Sequence, residues 1–158
     1  MLLYLRIENF ALIDHLELDF GAGLNVLTGE TGAGKSIILD AIDAVLGGKV
    51  SSRVIRTGTN RTMVEATFSV TAPLAAWLSE QEIDLIDDNA VIISREIATT
   101  TSNIHSRSRV NGVLVNRQLM GGLRDHLVEI TAQGQTVDRK STRLNSSHEW
   151  ISRMPSSA

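Results

Sequence analysis

One stretch of the sequence has residue types and spacing suited to binding phosphate. Residues 29–36 match the pattern G-x-x-x-x-G-K-[ST] in full. Its glycines let the backbone pass close to phosphate oxygens, and the following helix would add the partial positive charge of its N-terminus. We therefore predict a nucleotide-binding loop made of Gly29, Glu30, Thr31, Gly32, Ala33, Gly34, Lys35 and Ser36.

Two side chains at the end of this loop carry separate chemistry. Lys35 can reach the β- and γ-phosphates as a point charge, which makes it the candidate catalytic residue. The Ser36 hydroxyl can complete the coordination shell of a Mg²⁺ ion that bridges those phosphates. The predicted cofactors are ATP and Mg²⁺. The alternative is a chance glycine-rich turn, which the strand and helix predicted on either side of the loop disfavour.

The hydrophobic pattern predicts the elements that position the loop. The apolar run 24–28 is suited to a buried strand entering it, and residues 37–46 have the spacing of a helix that Gly47-Gly48 ends. Alternating apolar and polar residues predict further strands, and Asn111-Gly112 is a strong hairpin signal. The predicted strands are 3–8, 11–20, 63–70, 91–97, two within 104–115, and 127–131.

Two further helices complete the prediction. Pro73 opens a short one that contains Trp77, which we interpret as a core residue. Asn116 caps a second one that runs to about residue 127, although Gly121 and Gly122 each weaken it by roughly 1 kcal/mol relative to alanine. Together these elements indicate a mixed α/β nucleotide-binding lobe.

Composition limits the class of protein. The chain has 158 residues, 42% hydrophobic and 21% charged, which is ordinary for one globular domain. It has no cysteine, so disulfides and thiolate metal sites are excluded, and its four histidines show no ligand spacing. No stretch approaches the roughly 20 apolar residues of a membrane span, so we expect a cytoplasmic protein. A net charge of −3 does not by itself indicate a nucleic-acid surface.

Several stretches resemble one known family. The opening 5–13, the loop with its preceding threonine at 28–36, and the glycine stop at 46–48 resemble the RecN family of bacterial DNA repair ATPases. The resemblance continues through 54–58, 109–112 and 128–135, and covers about residues 1–137. That family is similar to the structural-maintenance-of-chromosomes (SMC) ATPases, whose heads fold like transporter-type (ABC) ATPase domains and dimerise around ATP.

The resemblance implies both a fold and a function. The fold would be a P-loop NTPase, the N-terminal lobe of an ABC/SMC-type ATPase head with a strand-rich antiparallel portion. The function would be ATP binding within a protein of DNA double-strand-break repair and recombination. The implied partners, through the full-length protein, are DNA and a second head in a homodimer around ATP. No membrane partner is implied, and the location would be the cytoplasm, at the nucleoid.

The resemblance also assigns individual residues. Gln133 stands where the family's Q-loop glutamine meets Mg²⁺ and the attacking water, so it is a candidate catalytic residue and metal ligand; the alternative is an ordinary polar loop residue. Arg53 and Arg56 fall where related heads carry an arginine loop near nucleotide or DNA, or they form a solvated pair of charges. Four further arginines form either a basic edge that binds nucleic acid or an ordinary solvated face. The lack of interleaved aromatic residues favours the solvated face. This set is Arg95, Arg107, Arg109 and Arg117.

Other family motifs do not occur in this sequence. There is no coiled-coil arm, no Walker B run before Asp-Glu, no Ser-Gly-Gly signature and no switch histidine, so whether the chain is an enzyme stays open. The alternatives to a repair ATPase are a nucleotide-binding fragment of a membrane transporter, which the Asn9-Phe10 opening disfavours, and a truncated reading frame without activity of its own.

The last 21 residues differ in character from the rest. Residues 138–158 are rich in serine and basic residues, and they resemble the in-frame translation of a sequencing adapter. We therefore divide the chain into a head lobe, 1–137, and a non-native disordered tail, 138–158.

The composition of residues 138–158 yields a first prediction. They contain too few apolar side chains to offset the entropy of ordering them, so their removal is expected to leave the melting temperature unchanged. Circular dichroism melting of the 158-residue chain and of a version ending at Val137 measures this. A clear drop on truncation would show that the tail packs against the lobe.

Overall fold

The structure is a computed structural model that describes residues 1–30, 34–86, 89–101 and 103–128. Within these ranges the strands form one sheet in the order β2-β1-β3-β4-β5-β6, and every neighbouring pair is antiparallel. A short 3₁₀ turn covers Ser52–Val54. The elements are β1 (Leu2–Phe10), β2 (Ile13–Asp19), α1 (Lys35–Val45), β3 (Arg61–Ser69), α2 (Ala72–Glu80), β4 (Ala90–Thr99), β5 (Ile104–Val110), β6 (Val113–Val115) and α3 (Arg117–Leu127).

One face of the sheet forms the core because the strands alternate in polarity. Along β3, every second residue from Thr62 to Phe68 is buried, while the residues between them are only partly buried. Helix α1 contacts β3 and β4 on the buried face, where Ala41, Ala44 and Val45 are enclosed. Burying each large apolar side chain contributes about 1.5–3 kcal/mol. The same core cluster includes Leu5, Ile7, Val64, Phe68, Leu74, Leu78, Ile93, Met120 and Leu123.

The turn signals of the sequence are confirmed. Asn111 and Gly112 both have positive φ, 49° and 82°, as a tight hairpin turn between β5 and β6 requires. The Asn111 side chain accepts from Ile92 N–H at 2.8 Å and donates to Asp84 O at 2.7 Å, which ties the turn to the rest of the lobe. Asn116 caps α3, since its Oδ1 accepts from Leu119 N–H at 2.9 Å.

Helix α1 ends at the predicted glycine stop. Gly47 has φ +88°, and its N–H donates to Ala44 O at 3.1 Å. The Gly48 N–H donates to Asp43 O at 2.9 Å, which completes a Schellman motif and satisfies the last carbonyl groups of the helix.

One predicted strand is wrong. Residues 24–28 form no strand, and Leu24 and Val26 are 91% and 70% exposed. A strand needs a neighbour to satisfy its N–H and C=O groups, and no described strand pairs with this stretch. The strand predicted over 127–131 begins on the last residue of α3, and residues 129–131 lie outside the described ranges.

The two central glycines of α3 have different surroundings. A Cβ on Gly121 would meet nothing within 4 Å, whereas one on Gly122 would come within 2.7 Å of Trp77 Cζ2. Trp77 packs against the core as predicted, and its ring lies 5.2 Å from that of His126. Gly122 is therefore required for the packing of α3 on α2, and Gly121 is not.

We expect opposite effects from the same substitution at these neighbours. Gly121→Ala should raise the free energy of unfolding by about 0.5–1 kcal/mol, because alanine loses less backbone entropy in a helix. Gly122→Ala should lower it, because overpacking against Trp77 costs about 1–3 kcal/mol. Urea denaturation measures both values. Equal stabilisation by the two substitutions would contradict the packing described for α3.

Candidate nucleotide-binding site

The first turn of α1 presents the end of the glycine-rich loop. Gly34 precedes the helix in the left-handed conformation, with φ 88° and ψ 8°, and its carbonyl accepts from Ile37 N–H at 3.0 Å. Residues with a side chain rarely adopt this backbone conformation, so glycine fits the chain's sharp entry into the helix. Lys35 and Ser36 follow as the first two helical residues, at the end where backbone N–H groups lack helical partners.

The described part of the loop closes on itself. Lys35 Nζ donates to the carbonyl of Gly29, which brings the first and seventh residues of the motif together. Gly29, Glu30, Lys35 and Ser36 are exposed. The exposed ammonium and hydroxyl groups thus lie beside the helix N-terminus. Thr31, Gly32, Ala33 and Gln133 lie outside the described residues.

An apolar cleft of about 390 Å³ adjoins this end of α1. One wall is the turn between β1 and β2 with the first residues of β2, and the other is the first turns of α1 with the segment at 27–28. Gly34 and Lys35 form the edge nearest the loop. The apolar side chains around the cleft are Leu12, Ile13, Leu16, Leu27, Ile37 and Ile38.

Arg56 holds the first wall of this cleft in place. Its Nη1 donates to Leu12 O at 2.8 Å, and its backbone N–H donates to Asn9 O at 2.9 Å. Its Nε also lies 4.0 Å from Asp14 Oδ1. Arg53 is exposed in the 3₁₀ turn and forms no side-chain hydrogen bond within the described ranges. The two arginines, which the sequence could not separate, therefore differ: Arg56 supports the β1–β2 turn and Arg53 is a surface charge.

Arg95 supports the other end of α1. Its Nη1 donates to Ala44 O at 2.6 Å and to Gly48 O at 2.7 Å, and its Nε donates to Ser106 Oγ at 2.7 Å. Burial, and secondarily the charge of Arg117, lowers the pKa of Arg95 below its usual value. The interpretation of Arg95 as a solvated charge is wrong. The alternation of β4 could have predicted that Arg95 is partly buried, because it falls between Ile93 and Ile97 on the buried face.

The four arginines considered as a basic edge do not share a surface. Arg107 and Arg109 pair in register with Glu96 and Ser94, on the face of the sheet opposite to Arg95. Arg107 is exposed and Arg109 is partly buried. Arg117 begins α3 and lines the same cavity as Arg95, and its charge contributes to the lowered pKa of Arg95.

The described residues contain neither a cluster suited to a metal ion nor a helix suited to a membrane. Over the four described ranges, no group of three or more His, Cys, Asp or Glu side chains could hold a metal ion. Over the same ranges, no helix is long and apolar enough to cross a membrane.

Comparison with known proteins places the lobe in a family. Residues 4–156 match the family model described as AAA domain. One solved structure aligns with a TM-score of 0.62 at 22% identity, over 77% of this chain and 76% of that one. It is described as "Structural biochemistry of ATP-driven dimerization and DNA stimulated activation of SMC ATPases". The SMC head bound to the C-terminal winged-helix domain of ScpA aligns with a TM-score of 0.60 at 23% identity, over 77% and 39%.

The chain belongs to the AAA domain family, and its fold is that of the N-terminal lobe of an ABC/SMC-type ATPase head. Within that family it is similar to curated proteins named DNA repair protein RecN. It is 60% identical over 136 residues to the DNA repair protein RecN of Synechocystis sp., covering 86% of this chain and 23% of that protein. It is 44% identical over 117 residues to RecN of Bacillus subtilis, covering 73% and 20%.

The chain thus spans about a quarter of the length of the curated relatives that it matches. The predicted family and fold class are confirmed.

The contacts of the two arginines before β3 give a matched pair of variants. Arg56→Gln should lower the free energy of unfolding by about 0.5–1 kcal/mol, because it removes the hydrogen bond to Leu12 O. Arg53→Gln, on an exposed side chain, should change it by less than about 0.5 kcal/mol. Urea denaturation of the two variants separates the roles. Equal losses would show that the contact of Arg56 does not stabilise the β1–β2 turn.

Proposed function

We propose that this chain is the ATP-binding lobe of a RecN-like ATPase that acts in DNA double-strand-break repair and recombination. The observation that carries the proposal is local: the glycine-rich loop leads into an exposed helix N-terminus that bears Lys35 and Ser36 beside an apolar cleft. A helix N-terminus, an ammonium group and a hydroxyl are the donors and ligand that a Mg²⁺-bound triphosphate requires. The residues present therefore fit both ATP and Mg²⁺.

The roles within the site follow from side-chain chemistry. The loop from Gly29 to Gly34 would supply backbone N–H groups to the phosphates, and Lys35 would neutralise charge on the β- and γ-phosphates. Ser36 would provide a hydroxyl ligand to Mg²⁺, and the ion when bound would stabilise negative charge shared by the phosphates. Gln133 is proposed, on the family resemblance alone, as a second Mg²⁺ ligand that orients the attacking water.

The apolar cleft suits the nucleoside half of the ligand. It begins at Gly34 and Lys35, where the phosphates would lie, and continues along the side chains of Leu12, Ile13 and Ile38. An adenine ring is flat and largely apolar, so it would gain from leaving water there. Because Leu12 is 76% exposed, this residue is available to a ligand rather than committed to the core.

The activity of the whole protein is part of the proposal. The curated relatives are named DNA repair protein RecN, and the first structural relative is described in terms of ATP-driven dimerization and DNA stimulation. By this likeness, the full-length protein would bind DNA and form a homodimer of heads around ATP. It would act in the cytoplasm at the nucleoid.

Two substitutions test the roles of the loop side chains. Lys35→Ala should weaken ATP binding by about tenfold or more with or without Mg²⁺, because a charged hydrogen bond is worth roughly 1.5–3 kcal/mol. Ser36→Ala should weaken binding only when Mg²⁺ is present. Isothermal calorimetry in Mg²⁺ and in EDTA measures both, with the exposed Ser79→Ala as the matched control. Unchanged affinity in Lys35→Ala would reject the proposed site.

Binding and turnover should be separable in this chain. The sequence carries no Walker B carboxylate and no signature motif, and phosphoryl transfer depends on positioning and charge placement by the complete set of groups. We expect phosphate release no faster than that of the Lys35→Ala variant in a coupled assay. Turnover that exceeds this control, and that co-purifies with the chain, would show that the lobe holds a complete site.

A further inference from the structure

A second cleft lies at the opposite end of α1 and plays no part in the proposed ATP site. Its volume is about 620 Å³, and it opens between the end of α1, the middle of β5 and the start of α3. Three cationic side chains line it, namely Lys49, Arg95 and Arg117. Its neutral polar residues are Ser106, Ser108 and Asn116. We call this the basic cleft.

Within the part of the chain that the structure describes, no carboxylate forms an ion pair with the cations of the basic cleft. Within the described ranges, none of the three cations has a carboxylate oxygen within 4.0 Å. The carboxylate of Asp43 raises the pKa of Arg95, but its effect on that pKa is smaller than those of burial and of Arg117, which lower it. Asp43 is itself engaged, because its Oδ1 accepts from Arg124 Nη2 at 2.6 Å. The cleft therefore carries a local excess of positive charge on a chain whose net charge is −3.

The guanidinium of Arg95 is already fixed in position. Its Nη1 and Nε donate to Ala44 O, Gly48 O and Ser106 Oγ, all uncharged acceptors. These bonds hold the planar group rigidly while leaving Nη2 without an acceptor among the described residues. A ligand at Nη2 would not have to order this side chain, which lowers the entropic cost of binding.

Arg117 faces the same space from another element. Both guanidinium-bearing residues line the cleft, and the positive charge of Arg117 lowers the pKa of Arg95. Arg117 is exposed at the first position of α3, and Lys49 is exposed just after α1. An anion between the three cations would offset these positive charges and accept hydrogen bonds from several walls of the cleft at once.

We propose that the basic cleft binds the phosphate group of a ligand, separately from the ATP site. A phosphate offers several acceptor oxygens and carries about one negative charge as a diester and up to about two as a monoester at neutral pH. It matches the donors that converge from β4, from α3 and from the loop after α1. A volume of about 620 Å³ is far larger than one ion and falls in the range of small-molecule sites. The phosphate therefore belongs to a larger molecule, either a phosphorylated small molecule or a nucleic-acid backbone.

The test uses the 158-residue chain with Lys35→Ala, so that the glycine-rich loop does not compete for phosphate. Inorganic phosphate is titrated while the Arg95 Nε–H signal is followed by ¹H–¹⁵N NMR. We expect a saturable shift of that signal, and an apparent dissociation constant that rises by about tenfold when Arg117→Gln is added, because one charged hydrogen bond is lost. The matched control is Arg107→Gln, an exposed arginine on the opposite face of the sheet, which should leave the constant unchanged.

The variants are chosen to keep the lobe folded. Arg95→Gln would remove the hydrogen bonds that hold the end of α1, and could therefore unfold the lobe. The substitutions are made instead at Arg117 and Lys49, which are exposed. Lys49→Gln should weaken phosphate binding in the same direction as Arg117→Gln.

A second arm identifies the source of the phosphate. The first outcome is that a short DNA duplex shifts the Arg95 Nε–H signal, and that Arg117→Gln but not Arg107→Gln weakens this binding. That outcome supports the site and identifies a nucleic-acid backbone as the source of the phosphate. The second outcome is that inorganic phosphate shifts the signal and the DNA duplex does not. That outcome supports the site and identifies a phosphorylated small molecule as the source. No saturable shift with either probe, or equal weakening by Arg107→Gln and Arg117→Gln, would overturn the proposal.

Discussion

The anchoring of the C-terminal end of α1 to the sheet is the contact on which the arrangement of this lobe depends. Arg95 donates from β4 to the carbonyl of Ala44 in the last turn of the helix and to that of Gly48 just beyond it. The Schellman motif at Gly47 and Gly48 satisfies the carbonyls of Asp43 and Ala44. The bond from Arg124 to Asp43 ties the same end to α3. A helix of 11 residues is only marginally stable alone, so these contacts and its buried alanines and valine hold it in place. Because a helix is stiff, fixing one end also fixes the first turn, about 16 Å away.

This anchoring gives the two ends of α1 different chemistry. The N-terminal end carries unpaired N–H groups and a partial positive charge, and it lies beside an apolar cleft, which suits a nucleotide. The C-terminal end carries a partial negative charge, which the Arg95 guanidinium offsets at a favourable position. The positive charge of three side chains exceeds this partial negative charge, and these side chains line the basic cleft: Arg95, Arg117 and Lys49.

The sequence predicted what depends on local pattern. Alternation located the antiparallel strands, Asn111-Gly112 located their last hairpin, and Asn116 and Gly47-Gly48 located helix ends, because each signal acts over a few residues. The strand predicted at 24–28 failed because an apolar run forms a strand only beside a partner, and a single run does not reveal whether one is present. The two roles of Arg53 and Arg56 could not be separated, since they depend on whether a guanidinium reaches the carbonyl of Leu12, 44 residues away from Arg56. The pairing of Arg95 with the end of α1 is equally long-range.

By this proposal, the N-terminal end of the anchored helix binds ATP within this lobe alone. The most direct measurement is a ¹H–¹⁵N NMR titration of the chain with ATP and Mg²⁺, in an Arg117→Gln background that weakens the basic cleft. We expect saturable shifts at Gly29, Gly34 to Ser36 and Leu12, with the hairpin turn at Asn111-Gly112 unaffected. Shifts confined to other residues, or no saturable response at the first turn of α1, would contradict the proposal.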